Sequence, residues 1–273
     1  MHTIKAVIEE AMLTIERVDA HVIVAHVLGV NRAYLAANPM RILTETEDAK
    51  IDMLVAQRAL GRPVAYLTEQ REFHGREFIV GDHVLIPRPE TEGLVEAALE
   101  RMGTKAAVAD LGTGSGAIAV TIACERPLAT VTATDASAAA LATAKRNARR
   151  QGCDLRIDFL EGSWYEPLSG RLFDLIVSNP PYVAADDPHL ARGDLRFEPS
   201  QALTDGGADG LDSIRAIIAG ASEHLNSGGW LLLEHGYDQA EAVRMLLEAA
   251  GFGDLVSLPD LAGIPRVAGG RVR

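Results

Sequence analysis

Asn179-Pro180-Pro181-Tyr182 is the stretch of this sequence with the clearest chemical meaning. It ends the largely apolar run Phe173-Asp174-Leu175-Ile176-Val177-Ser178, which reads as a buried strand that stops abruptly. Neither proline has an N–H to continue a ladder, and the residue before each is pushed to extended geometry. The backbone is therefore nearly fixed before any tertiary contact forms. A small planar amine or amide needs two acceptors for its N–H pair and a flat face to lie against. Asn179 offers a side-chain carbonyl, Pro180 a main-chain carbonyl and Tyr182 a ring. On the tetrapeptide alone, a strand followed by a Pro-Pro turn, with Tyr182 as ordinary packing, is the plain alternative.

The second chemical stretch is Asp110-Leu111-Gly112-Thr113-Gly114-Ser115-Gly116, which follows the apolar run from Ala107 and opens a helix. Glycines there permit a tight turn and close approach of a ligand to the backbone. Asp135, about 20 residues on at the end of the next strand, suits a pair of ribose hydroxyls. Two ligands fit this pattern. Gly112-x-Gly114-x-x-Ala117 is a passable dinucleotide fingerprint. S-adenosylmethionine is the other candidate, its amino-acid end at the loop and its adenosine along the second strand. Asp110 can reach an ammonium group, directly or through water, whereas it would repel a pyrophosphate.

Stepping outward to the elements that must position these residues, strands and helices alternate from Ala106 onward. Strands are expected at 107–111, 130–134, 155–160, 173–178 and 230–234. Helices are expected at 118–124, from the Ser137 cap to Arg150, at 211–225 and at 239–250. Two short closing strands near Leu255 and Val267 have no helix between them, which implies a terminal antiparallel hairpin. This is an α/β chain with a doubly wound, mostly parallel seven-stranded sheet. The strand closed by Asn179 should flank the first strand, and ligands in such sheets sit beyond the carboxyl ends of strands at the switch point. A clamp on an NH2 group would then face the glycine loop. Hydride transfer has no use for such a clamp; methyl transfer to nitrogen does. The alternative acceptor is an exocyclic amine of a DNA or RNA base, which would call for a basic groove or a target-recognition insertion that is not evident in the sequence.

Ahead of this lie a helical unit, residues 1–64, and a hairpin linker, 65–87, with the α/β domain at 88–273. The helical unit is marked by Ile4, Val7 and Ile8 on one face, by Asp19 as a cap for a second helix closed by Gly29, and by the capping box Thr44-Glu45-Thr46-Glu47. The linker carries the hairpin signal Phe73–Phe78 and a further extended piece at Val84–Ile86. Pro87-Arg88-Pro89-Glu90-Thr91-Glu92 opens the next helix.

A net charge of −12 argues against affinity built on neutralising many phosphates. Cys124 and Cys153 stand apart, as reduced thiols do, and His21 and His26 lack a second ligand pair, so no metal is expected. The N-terminus has charges where a signal peptide needs an apolar core, and no stretch is apolar for long enough to span a bilayer. A cytoplasmic monomer without direct nucleic-acid binding is expected.

With these motifs assembled, the sequence resembles the HemK/PrmC family of class I, S-adenosylmethionine-dependent methyltransferases. The likeness covers essentially the whole chain. It is carried by the glycine loop, Asp135 and the Asn179–Tyr182 corner, and by Gly61-Arg62-Pro63, Arg71-Glu72-Phe73, Leu85–Glu92, Arg196-Phe197-Glu198-Pro199 and Leu232-Leu233-Glu234-His235-Gly236. The resemblance implies methylation of the side-chain amide of the glutamine in the Gly-Gly-Gln loop of class I peptide chain release factors, with S-adenosylhomocysteine as product. It places donor contacts on Gly112–Gly116, Asp135, Trp164 and Asn179, with Ser163 able to hydrogen-bond an adenine amine, and the substrate clamp on Asn179, Pro180, Pro181 and Tyr182. Two positions depart from the family pattern. Ser163 stands where an aspartate is common, and Glu69 stands where a glycine is usual, which is expected to alter the hairpin's turn.

Overall fold

The computed structural model describes residues 2–273. The chain forms two compact units: one runs to Gln70 and includes Ala191–Phe197, the other comprises Arg71–Leu190 and Glu198–Arg273.

The first unit holds α1 (Ile4–Ala11), α2 (Arg17–Leu28), α3 (Arg32–Ala37), α4 (Glu45–Ala59) and α5 (Val64–Thr68). Ile4, Val7 and Ile8 pack with Val24, Leu35, Leu43 and Ile51. The capping box is reciprocal: Glu47 N–H donates to Thr44 Oγ1 at 3.2 Å, and Thr44 N–H to Glu47 Oε2 at 2.8 Å. Gly29 closes α2 in the left-handed region, φ +64°. Asp19 is not a cap. The helix starts two residues earlier, so Asp19 falls in its first turn and takes Arg58 Nε at 2.6 Å. Arg58 also donates to Asp194 of the 191–197 segment at 2.8 Å.

Residues 65–68, placed by the sequence in the extended linker, belong to the helix α5, because Leu67 has a hydrophobic seat beside Ile23 and Leu54. Glu69 caps that helix at φ +56°, a conformation that favours glycine. The hairpin's turn is elsewhere, at His74 (φ +50°) and Gly75 (φ +71°), so Glu69 leaves it unaltered.

β1 (Gln70–Phe73), which starts at the last residue of the first unit, and β2 (Arg76–Ile79) make the hairpin, while Val84–Ile86 is irregular. A short 3-10 turn at Pro89–Thr91 leads into α6 (Glu92–Arg101). Then follow β3 (Ala107–Leu111), α7 (Ala117–Glu125), β4 (Thr130–Asp135), α8 (Ala138–Arg150), β5 (Ile157–Glu161) and β6 (Phe173–Ser178). The chain ends with α9 (Asp212–His224), β7 (Leu225–Glu234), α10 (Ala240–Ala249), β8 (Gly253–Pro259) and β9 (Pro265–Arg271). The sheet order is β5-β4-β3-β6-β7-β9-β8, with β9 antiparallel to both neighbours and the other pairs parallel. The seven-stranded, mostly parallel sheet and its antiparallel end are those expected. β7 is longer than expected: pairing of Leu225 with Phe173 carries the strand through Asn226-Ser227-Gly228-Gly229, which reads locally as a loop.

Strands buried on both faces need apolar residues at successive positions, and the period of two sorts them. Val108, Val131, Leu175, Val177 and Leu232 face one way, packed with Leu94, Val95, Ile118 and Ile122. Ala109, Leu111, Ile176, Leu231 and Leu233 face the other, against Ile214, Ile217, Val243 and Leu247. Sheet order reverses direction between β3 and β6, whose ends are register partners: Leu111 lies opposite Ser178, and Ser178 Oγ donates to Leu111 O at 2.7 Å. Among the described residues no helix is long and apolar enough to cross a membrane.

Asn147 on α8 is wholly buried and joins three main-chain groups. Its Nδ2 donates to Ile79 O at 2.9 Å and Ser115 O at 2.8 Å, and its Oδ1 accepts from Ile79 N at 2.7 Å. One side chain thus pins the hairpin to the glycine loop. Asn147→Ala leaves these groups unpaired and is expected to lower the unfolding free energy by roughly 2–4 kcal/mol, measured by urea denaturation.

Candidate active site

The five residues between β3 and α7 turn through left-handed glycines at Gly112 (φ +74°), Gly114 (φ +56°) and Gly116 (φ +82°). A Cβ on Gly112 would stand 3.2 Å from the Trp164 ring, and one on Gly116 3.0 Å from Ala144 Cβ. The first glycine keeps space beside the indole; the third lets α7 and α8 approach closely. Gly112 N–H and Thr113 N–H both donate to Thr134 O at 2.9 Å, which fixes the loop to β4.

Two acids support the loop. Asp135 accepts from Gly114 N and Ser137 N, both at 2.8 Å, and burial raises its pKa. Asp110 lies beneath, wholly buried. Its Oδ2 accepts from Thr113 Oγ1 at 2.6 Å and Ala119 N at 3.2 Å, while Oδ1 is buried without a partner. Burial pushes its carboxyl up to about 7, against the pull of those two donors.

Trp164, after β5, holds φ +47°, a strained setting for a bulky residue. Its carbonyl accepts from Thr134 Oγ1 at 3.1 Å. The strain sits where the indole lines a cleft of about 1080 Å³, part of it open to solvent. Gly112, Thr113, Gly114, Ser115, Asp135, Ser163, Trp164, Asn179 and Pro181 all line this cleft, so the β3–β6 switch point gathers the glycine loop and the start of the proline corner. Asp110, Gly116, Pro180 and Tyr182 do not line it. Asp110 and Gly116 act from below, Pro180 is buried, and the Tyr182 hydroxyl turns away to donate to Glu234 Oε1 at 3.1 Å.

Several supporting residues carry no local signal of their role. Asn179 Nδ2 donates to Thr91 Oγ1 at 3.0 Å, leaving Oδ1 as the free end of the amide. Glu234, at the end of β7, is buried and pushed up to about 7 by desolvation, opposed by the hydroxyls of Thr91 and Tyr182. Gln239 Nε2 donates to Tyr182 O at 3.0 Å and Asp209 O at 2.9 Å. Glu198 accepts from Ile86 N at 3.0 Å and pairs with Arg88, joining two segments more than 100 residues apart beside the cleft. The stretches holding Thr91, Glu198 and Glu234 stand out in the sequence, but only long-range packing shows what each touches. Among the described residues no group of three or more metal-ligating side chains is assembled.

This geometry sits in a chain that matches known proteins along nearly its whole length. Residues 1–68 match the PrmC N-terminal domain, and residues 90–208 the methyltransferase small domain. A release factor glutamine methyltransferase of Xylella fastidiosa is 53% identical, covering 97% of each chain. One from Burkholderia pseudomallei is 54% identical, over 94% of this chain and 93% of its own. A methyltransferase from Pyrococcus furiosus shares the fold, with a TM-score of 0.56 at 18% identity over 84% of this chain and 98% of that one. A glycine loop and an Asn-Pro-Pro-Tyr corner at one switch point, within a likeness spanning nearly every residue, have one source: the chain belongs to the release factor glutamine methyltransferase family.

Proposed function

We propose that the cleft binds S-adenosylmethionine and that the chain methylates the side-chain amide nitrogen of the glutamine in the Gly-Gly-Gln loop of class I peptide chain release factors. The observation that carries this reading is the tethered Asn179 amide: with Nδ2 held by Thr91, its Oδ1 is the atom left to accept from a substrate N–H beside the glycine loop.

The residues present fit the donor. Asp110 Oδ1 is a buried acceptor without a partner beneath the loop, suited to an ammonium, directly or through water. Asp135 ends β4 where ribose hydroxyls are held in sheets of this order, and the space kept by Gly112 against Trp164 suits an adenosine. Ser163 and the main chain of Thr113–Gly116 complete the contacts. When bound, S-adenosylmethionine supplies an electrophilic methyl group on a sulfonium.

An amide nitrogen is a weak nucleophile because its lone pair is delocalised into the carbonyl. Asn179 Oδ1 and the Pro180 carbonyl accept its two N–H bonds and turn the nitrogen toward attack, and Pro181 and Tyr182 shape the corner that fixes its distance. Orientation of this kind is worth up to roughly 7–11 kcal/mol in favourable cases. These acceptors bind the nitrogen more strongly as it gains positive charge, so they favour the transition state over the ground state. No general base is required ahead of transfer, since the proton departs readily afterwards.

Incubation with donor and a release factor should add one methyl to the Gly-Gly-Gln glutamine, read by peptide mass; label passing to nucleic acid and not to the factor would sink the reading. Asn179→Ala should cut turnover at least a hundredfold (about 2.7 kcal/mol) while changing S-adenosylhomocysteine affinity far less, compared by kinetics and calorimetry.

Acid strength gives a further expectation. Asp110 and Glu234 rise from the ordinary 3.8 and 4.5 to about 7 in the folded chain. The native state therefore holds protons that the unfolded state releases between roughly pH 4 and 7. Their contribution to stability is complete below that window and is lost as pH rises through it. The melting temperature of unliganded protein should fall from pH 5 to 7.5, and Asp110→Asn should flatten the slope.

A further inference from the structure

Gln239 takes no part in the chemistry of the cleft, yet it stands where the chain after β6, the chain before α9 and the chain after β7 meet. It occupies the position that opens α10, where serine, threonine, aspartate or asparagine ordinarily caps a helix, but its side chain makes no cap bond. The residue is 8% exposed, and its amide turns inward instead. Nε2 donates to Asp209 O at 2.9 Å and Tyr182 O at 3.0 Å, with Gly210 O a longer contact at 3.4 Å. Oε1 accepts from Gly236 N at 2.8 Å. These partners set the direction of the amide: reversed, it would put an oxygen against carbonyls and an NH2 against an N–H. Two glycines leave space here. A Cβ on Gly236 would stand 2.9 Å from Gln239 Oε1, and one on Gly210 would collide with the Tyr182 carbonyl.

We propose that Gln239 is a positioning residue for methyl transfer: by holding the Tyr182 carbonyl it fixes the far end of the proline corner, and through it the Pro180 carbonyl and the Asn179 amide that grip the substrate nitrogen. The near end is fixed by the sheet, where Ser178 pairs with Leu111. Between the two ends neither proline can donate a hydrogen bond, so the corner has to be held by its carbonyls and side chains. The prolines also lock two φ angles, which lets a restraint at Tyr182 act on the residues before it. Just past the corner, Val183 N–H donates to Leu203 O at 2.9 Å, so the chain leaves along a second fixed line. Glu234 holds the Tyr182 hydroxyl and Gln239 the Tyr182 main chain, two anchors with separate tasks. Without Gln239 the Tyr182, Asp209 and Gly210 carbonyls lose their shared buried donor, and the Pro180 carbonyl gains freedom to swing away from the substrate.

The inference rests on the amide-methylating reading for its kinetic consequence, but the hold on Tyr182 is measurable without catalysis. The chain contains a single Tyr-Val pair, Tyr182-Val183, so protein labelled with carbon-13 at tyrosine carbonyls and nitrogen-15 at valine gives one carbonyl–amide correlation from that peptide bond. Gln239→Met keeps the length of the side chain and removes the donor, and the Tyr182 carbonyl signal should move upfield. At saturating donor, kcat for release factor methylation should fall at least tenfold in this variant, with KM for the factor and S-adenosylhomocysteine affinity each within threefold of wild type. Leu247→Ala, about two turns further along the same helix, removes core packing away from the corner and should lower the melting temperature while keeping kcat within threefold. In an Asn179→Ala background the Gln239→Met change should cost less than threefold, since the two acceptors act as a unit. An unmoved carbonyl signal in Gln239→Met overturns the inference, as does an equal fall of kcat in Leu247→Ala or a full tenfold further loss in the Asn179→Ala background. Should Gln239→Met not fold, Gly210→Ala decides: its Cβ displaces the same carbonyl, and an unmoved signal with wild-type kcat overturns the inference. If the wild-type protein transfers no methyl to a release factor, the functional reading fails, and the carbonyl signal still decides whether Gln239 holds the corner.

Discussion

Parallel pairing of β3 with β6 is the constraint on which the site depends. Leu111 and Ser178 are register partners, tied further by the Ser178 hydroxyl, so the chain leaves two adjacent strands at the same level and in the same direction. Past one end comes a loop of left-handed glycines; past the other come two prolines. The first is shaped by residues that accept unusual backbone angles, the second by residues that accept few. A register slip of one residue would send Asn179 to the opposite face of the sheet. The many apolar side chains sorted between the two faces hold that register.

Around this pairing, buried polar groups act as fixed joints. Asn147 joins hairpin to loop, Glu198 joins Ile86 and Arg88 to the chain after β6, and Glu234 with Gln239 grips Tyr182 from below. Each satisfies main-chain or hydroxyl groups that packing has removed from water, where an unmet partner costs about 1–3 kcal/mol. Three unusual features lie at or near the cleft: Trp164 at a positive φ, Asp110 with an unmatched oxygen, and carboxyls pushed up to about 7. Elsewhere in the second unit, Glu125 is held below the usual carboxylate range by a half-exposed pair with Arg76. Perturbed acids concentrated at one switch point are the electrostatic mark of a site built for chemistry.

Much of this was legible in one dimension, and particular residues show why. The Asn179–Tyr182 corner and the Gly112–Gly116 loop are local: their backbone angles follow from residue type, so their shapes are written where they stand. The capping box at Thr44 and the start of α8 at Ser137 are equally local and fall where the sequence places them. Errors came where a distant partner overrode the neighbourhood. Asp19 resembles a cap but is claimed by Arg58; residues 65–68 coil because Leu67 has a hydrophobic seat; Asn226–Gly229 stays in a strand because Phe173 lies alongside.

By itself, then, the amino-acid order determined the kind of fold, the two chemical motifs and the family to which they belong, since each depends on periodicity, backbone preference or a contiguous string of residues. Only the folded chain decided which atoms are presented. That Asn179 shows its oxygen, that Tyr182 points to Glu234 and away from the cleft, and that Asp110 lies wholly buried beneath the loop follow from contacts across 52 to 88 positions or from burial. The direction of a hydrogen bond belongs to a pair of groups, and no residue carries it alone.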